Sequence, residues 1–141
     1  MGGRQFIDTN VLLYLFDDRA AGKQQRARAL VDELGRSGRG ALSTQVLFEL
    51  FHGLTHRLGV SRHSASLMTS AFCQWHVVPS DAPLVLAAMA RATGQPCSIG
   101  DAMIIESALR CGATILFSEG LQHRQRLGPL TVIDPFRIEA A

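Results

Sequence analysis

Arg4-Gln5-Phe6-Ile7-Asp8-Thr9-Asn10-Val11-Leu12-Leu13-Tyr14-Leu15-Phe16 sets one carboxylate between two apolar runs, at a change of period. Phe6 and Ile7 read as the end of a short buried strand. Val11, Leu12, Leu15 and Phe16 then recur at helical spacing, so Asp8-Thr9-Asn10 is the expected strand-to-helix junction. In an α/β fold such a junction lies at the carboxyl edge of the sheet, where ligands of open sheets collect. Asp, Thr and Asn are also good helix caps, and read in isolation this stretch is explained by capping alone.

Working outward, Ala27, Leu30, Val31 and Leu34 give an i, i+3, i+4, i+7 stripe for a second helix, ended by Gly35, Gly38 and Gly40. Ala41-Leu42-Ser43 is a short strand candidate, and Ser43 or Thr44 can cap the helix that follows. There Leu47, Leu50, Phe51, Leu54 and Leu58 form an apolar face, with Gln45, Glu49, His52 and His56 opposite and Gly59 closing it. Ser61 to Cys73 reads as a further helix, and Trp75 to Val78 as a strand stopped by Pro79. A helix capped by Ser80 or Asp81 runs through Leu84, Val85, Ala88, Met89 and Ala92. Another runs from Ser98 to Cys111. Thr114 to Phe117 is a strand, followed by Ser118-Glu119-Gly120 and a short Arg-containing helix or turn. Thr131 to Ile133 is the last strand. Strands alternating with helices predict parallel pairing with helices on both faces.

The 141 residues are 47% hydrophobic, with a mean hydropathy of +0.13, which suits one domain, 1–141, with a sizeable core. No apolar run approaches the roughly 18 residues of a membrane span, and the N-terminus lacks a signal-peptide pattern. The expected location is the cytoplasm. Cys73, Cys97 and Cys111 form no metal-ligand spacing and are expected to be small buried side chains in a reducing compartment. The net charge of +2 does not by itself argue a nucleic-acid partner. Of the 14 basic residues, however, all but Lys23 are arginine, the type suited to forked contacts with phosphate.

Several acids sit where a solvated surface does not explain them. Asp101, Ile104, Ile105 and Ala108 share one helical face, so this carboxylate heads the side that the helix buries. The competing explanation is a capping box, Ser98-x-x-Asp101. Glu49 opposes its helix's apolar stripe, which favours plain exposure. A metal site of Glu49, His52 and His56 would be a weak match, lacking a further ligand in register. Glu119 follows its strand as Asp8 follows its own, although a solvated loop acid reads equally well. A parallel sheet would bring Asp8, Asp101 and Glu119 to one edge, with Glu49 one turn into a neighbouring helix. Carboxylates about 4 Å apart repel by roughly 4 kcal/mol per pair at an effective dielectric near 20, so such a group calls for cations. Oxygen ligands with few histidines select Mg²⁺ or Mn²⁺.

Phe6-Ile7-Asp8-Thr9-Asn10-Val11-Leu12-Leu13-Tyr14, Ser43 to Glu49, Gly100 to Ile105 and Leu116 to Leu121 resemble, in order and spacing, the acidic motifs of PIN-domain ribonucleases. They are most similar to the VapC-type toxins of toxin–antitoxin pairs, and Val132-Ile133-Asp134-Pro135-Phe136 resembles the Asn-Pro-Phe ending of that group. The resemblance implies a three-layer α/β/α Rossmann-like domain with a central parallel sheet of four to five strands. It further implies an Mg²⁺- or Mn²⁺-dependent endoribonuclease, neutralised by a cognate antitoxin and usually homodimeric; from the acids in register the expected substrate is single-stranded RNA. By position, Asp8, Glu49 and Asp101 would bind metal, Glu119 would assist catalysis, and Thr9, Asn10 and Ser118 would be supporting polar residues. The fourth motif of the family usually reads Ser/Thr-x-Asp, and this sequence has Gly120 at its last position. That departure motivates an alternative, a catalytically degraded PIN domain that binds RNA or protein without cutting. A related DNA flap nuclease fits less well, for want of the added helical modules.

Overall fold

The computed structural model describes residues 3–137. β1 (Gln5–Ile7) leads into α1 (Thr9–Leu13), a 3-10 turn (Tyr14–Phe16) and α2 (Ala21–Ser37). β2 (Gly40–Ser43) is followed by α3 (Thr44–His56), α4 (Arg62–Ser70) and a second 3-10 turn (Ala71–Gln74). β3 (His76–Val78) is followed by α5 (Ala82–Gly94) and α6 (Ile99–Arg110). Then come β4 (Ile115–Phe117), β5 (Arg126–Leu127) and β6 (Leu130–Ile133).

The strands form one sheet in the order β3-β2-β1-β4-β6-β5. Every neighbouring pair is parallel except β5 with β6. Phe6, Ile7, Leu42, Leu116 and Val132 are fully buried strand residues, as expected for a parallel sheet with helices packed against it. The fold is therefore the expected helix-flanked α/β class. Among the described residues no helix is long and apolar enough to cross a membrane.

Position in the sheet decides what can meet. From β1 the chain builds β2 and then β3 to one side, whereas β4 pairs on the other side of β1. The chain thus diverges at the carboxyl ends of β1 and β4, where Ile7 is in register with Phe117, and such a switch point opens a crevice.

Four local expectations are corrected. The sheet has a sixth, antiparallel strand where a helix or turn was expected: Gly128-Pro129 makes a two-residue hairpin loop, and Gly128 takes the positive φ of 63° that a side chain would resist. The first helix gives way to a 3-10 turn at Tyr14 and ends before Asp17, whose carboxylate is turned onto the Arg19 backbone N–H (3.1 Å). The helix expected to reach Cys73 stops at Ser70, while of the two caps expected for α5 it is Asp81 that accepts from Leu84 N–H (3.0 Å). Cys73 is exposed, and Cys97 and Cys111 are only partly buried.

Candidate active site

Asp8 leaves β1 with its N–H donating to the Phe117 carbonyl (3.0 Å), which ties it to the end of β4. Its Oδ1 accepts from Thr9 N–H (2.7 Å) and its Oδ2 from the Ser118 hydroxyl (3.1 Å). Asp8 therefore does cap α1, and capping does not exhaust it. Burial pushes its pKa from 3.8 up to about 6, against the Thr9 and Ser118 hydrogen bonds and with the negative charges of Glu49 and Asp101 adding to the rise. The carboxylates of three distant segments are thus close enough to act on one another.

Glu49 reaches this point because α3 lies tight against α1. Its buried side is Val46, Leu50, Gly53 and Leu54. A Cβ on Gly53 would come within 2.8 Å of the Leu13 side chain, so the absence of one lets the two helices approach. The Thr9 hydroxyl, buried at 6% exposure, donates to Glu49 Oε1 (2.8 Å). Glu49 is consequently part-buried and fixed, not the freely solvated glutamate that periodicity favoured. The stripe read from Leu47 and Phe51 missed Val46 and Gly53, which border the Glu49 side of the helix.

Asp101 stands in the first turn of α6. Ser98 Oγ accepts from its backbone N–H (3.1 Å), which is half of a capping box. Among the described hydrogen bonds none returns from the Asp101 carboxylate to the Ser98 amide, so that carboxylate is left to the cleft. Asp8, Thr9, Asn10, Glu49 and Asp101 all line this one open cleft of about 500 Å³.

The remaining candidates lie elsewhere or play smaller parts. Ser118 is fully buried behind Asp8. Asn10 is exposed at the rim, its Oδ1 accepting from the Arg57 guanidinium (3.3 Å). Glu119 is not among the residues lining the acid cleft. Lys23 Nζ forms an ion pair with its Oε2, and the Tyr14 hydroxyl donates to its Oε1 (2.8 Å). These same contacts, Glu119 first and then Tyr14, raise the Lys23 pKa. Glu49, His52 and His56 form no cage: both imidazoles are exposed and stacked on each other at 4.1 Å.

None of the ion pairs among the described residues involves Asp8, Glu49 or Asp101. Nor do three or more His, Cys, Asp or Glu side chains there form a ready-made metal cage. Three carboxylates that make no ion pair, two of which oppose the ionisation of Asp8, offer the oxygen donors that suit a hard divalent ion whose shell is completed by water and phosphate oxygens. Asp8, Glu49 and Asp101 are the residues that would hold it.

Three cleft residues were not singled out by the sequence reading. Gln45 Nε2 bridges Glu49 Oε2 and the Gly100 carbonyl (3.4 Å each), linking α3 to the start of α6, while its Oε1 is buried without a partner. Its signal was the i, i+4 spacing with Glu49. Phe48 and Arg57 also line the cleft, and no local pattern marked them.

Similar architectures are known. A toxin–antitoxin complex from Klebsiella pneumoniae matches with a TM-score of 0.71 and 17% identity, over 95% of this chain and 99% of that one. A DNA-bound VapBC from Salmonella typhimurium matches at 0.66 and 18%, over 94% and 98%. VapC20 of Mycobacterium tuberculosis, described as a sarcin–ricin loop cleaving toxin, matches at 0.64 and 21%, over 82% and 91%. No curated protein matches the chain. The sequence model of the PIN domain matches residues 6–126, which contain all of the cleft acids, and the chain belongs to the PIN domain family.

Proposed function

We propose that the protein is an Mg²⁺- or Mn²⁺-dependent endoribonuclease of the toxin type, held inactive by a cognate antitoxin. The observation that carries this reading is the set of three carboxylates, Asp8, Glu49 and Asp101, gathered in one cleft where none of them is ion-paired, the Arg57 guanidinium of that cleft being bonded to Asn10 instead. Family membership and the fold shared with VapC-type structures support it.

When bound, a divalent ion at these carboxylates would lower the pKa of a water and offset charge developing on the phosphodiester. The chain's own residues do the positioning. Thr9 holds Glu49 through its hydroxyl and Asp8 through its backbone N–H, and Ser118 holds the other Asp8 oxygen, so both carboxylates present fixed lone pairs. Arg57, at the rim, offers a guanidinium to a phosphate next to the scissile one. The test is RNA cleavage by Asp8→Ala and Asp101→Ala proteins in Mg²⁺: loss of cleavage is expected, and undiminished cleavage would refute the reading.

A second reading is a degraded PIN domain that binds RNA or protein without cutting. Gly120 favours it, as does the pairing of the nearby Glu119 with Lys23. A Cβ on Gly120 would meet nothing within 4 Å, so Gly120→Asp can be accommodated. A large gain of divalent-dependent cleavage from an inert parent would favour degradation, and an active parent would exclude it. The antitoxin is expected by analogy with the VapBC complexes, and the homodimer from the family resemblance. Size-exclusion chromatography tests the dimer, and a monomer at micromolar concentration would count against it.

A further inference from the structure

The outer face of α3 carries an aromatic row that the core does not use. Phe48 is 68% exposed, although an apolar ring of this size gains by leaving water. His52 and His56 follow it at i+4 and i+8, which places all three on one side of the helix. The Phe48 and His52 rings are 6.5 Å apart and tilted by 35°, and His52 and His56 are stacked at 4.1 Å and 23°. The His56 ring is held in place: its Nδ1 lies 3.2 Å from the His52 carbonyl and 3.0 Å from the Thr55 hydroxyl. Phe48, His52 and Arg57 also line the cleft that contains the acids. The row therefore opens directly into it.

We propose that Phe48, His52 and His56, with Arg57 beside them, form a base-stacking track that delivers single-stranded RNA to the acids, an inference that takes the nuclease reading as given for what lies at the end of the track. Three carboxylates repel a polyanion, so affinity for the strand has to come from the side chains beside them. Ring faces supply this without reference to sequence, because every base has a π-face that can stack on them. Bases in a duplex are already stacked on one another and cannot enter, so the track selects single strands. A protein partner covering this face would have to strip water from two imidazoles, whereas stacking leaves their N–H edges solvated.

The test is fluorescence anisotropy with a short labelled single-stranded RNA and with its duplex, in an Asp8→Asn background so that cleavage does not consume the probe. Phe48→Ala and His52→Ala are each expected to weaken single-strand binding by roughly 10-fold, with Phe48→Trp retaining it and duplex binding unchanged. Arg57→Ala should lower the slope of log affinity against log salt by about one. Because these side chains are exposed, thermal melting should match the parent. Undiminished single-strand binding by the Phe48→Ala, His52→Ala double variant overturns the proposal, as does equal loss for single strand and duplex. The same double variant binding RNA normally while dissociating from a dimer on size exclusion would make the face a protein interface and also overturn it. The nuclease reading is scored separately, by Mg²⁺-dependent cleavage with Asp8 intact. A parent that binds through the track and never cuts sinks the nuclease alone, a parent that cuts regardless of Phe48 and His52 sinks the track alone, and a parent that neither binds nor cuts sinks both.

Discussion

Asp8 and Glu119 leave adjacent, paired strands of one sheet at nearly the same height, and their surroundings are opposite in character. Glu119 is met by the chain's single lysine and by the Tyr14 hydroxyl, while Tyr14 itself packs edge-on against Phe136 at 4.9 Å. Its charge is answered within the protein. Asp8 is met by a hydroxyl and an amide, which fix its oxygens but bring no compensating charge, and its acidic neighbours make ionisation harder. One carboxylate tethers elements together. The other, on the proposed reading, is held ready for a cation from outside. The lesson is that an acid at a sheet edge is read by what opposes it, more than by where it stands.

The contrast can be broken most sharply at the cleft acids. Asp8→Ala and Asp101→Ala should each lower Mg²⁺-dependent RNA cleavage by at least about 10³-fold, whereas Glu119→Gln should leave kcat within a few-fold of the parent. Equal losses at Asp8 and Glu119 would erase the distinction. Next in size are the groups that aim the carboxylates. Thr9→Val and Ser118→Ala should weaken metal activation by roughly 10–100-fold with folding retained, read as the Mg²⁺ concentration for half-maximal cleavage.

A pH titration separates the two acids on stability. The metal-free folded protein keeps a proton on Asp8 up to about pH 6, whereas the unfolded chain releases it near 3.8. This group's stabilisation is thus fully present below pH 3.8 and is lost as pH rises through 6, by at most about 3 kcal/mol. Asp8→Asn should melt at a temperature that no longer falls over that window, and Mg²⁺ should restore the parent at pH 7 and above. A parent whose stability does not fall between pH 4 and 6 relative to the variant contradicts the raised pKa. The smallest effect is expected at the tether: Lys23→Met should cost no more than about 1 kcal/mol in urea unfolding, because the pair is substantially solvent-exposed.

Much of this was legible in the sequence, for reasons that particular residues make plain. The buried parallel strands announce themselves as short apolar runs, and Asp8 is visible as a charge set between two of them. Asp101 is visible because its helical face is otherwise apolar. Periodicity alone turns Glu49 outward because a hydrophobic stripe records which residues are apolar, whereas Gly53, with no side chain, is what draws α3 onto Leu13 and turns Glu49 inward. Glu119 was grouped with the other acids by its place after a strand, since nothing local in the sequence says that Lys23, nearly a hundred residues earlier, folds against it. The hairpin of β5 and β6 turns on Gly128-Pro129, a pair that without its partner strand reads only as a turn.

The most direct measurement is Mn²⁺ binding, by isothermal titration calorimetry near pH 6 in buffers of different ionisation enthalpy, for the parent, Asp8→Asn, Asp101→Asn and Glu119→Gln. The account predicts binding with proton release in the parent and in Glu119→Gln, and its loss in both aspartate variants. Binding that survives Asp8→Asn and Asp101→Asn, or that disappears with Glu119→Gln alone, would contradict it.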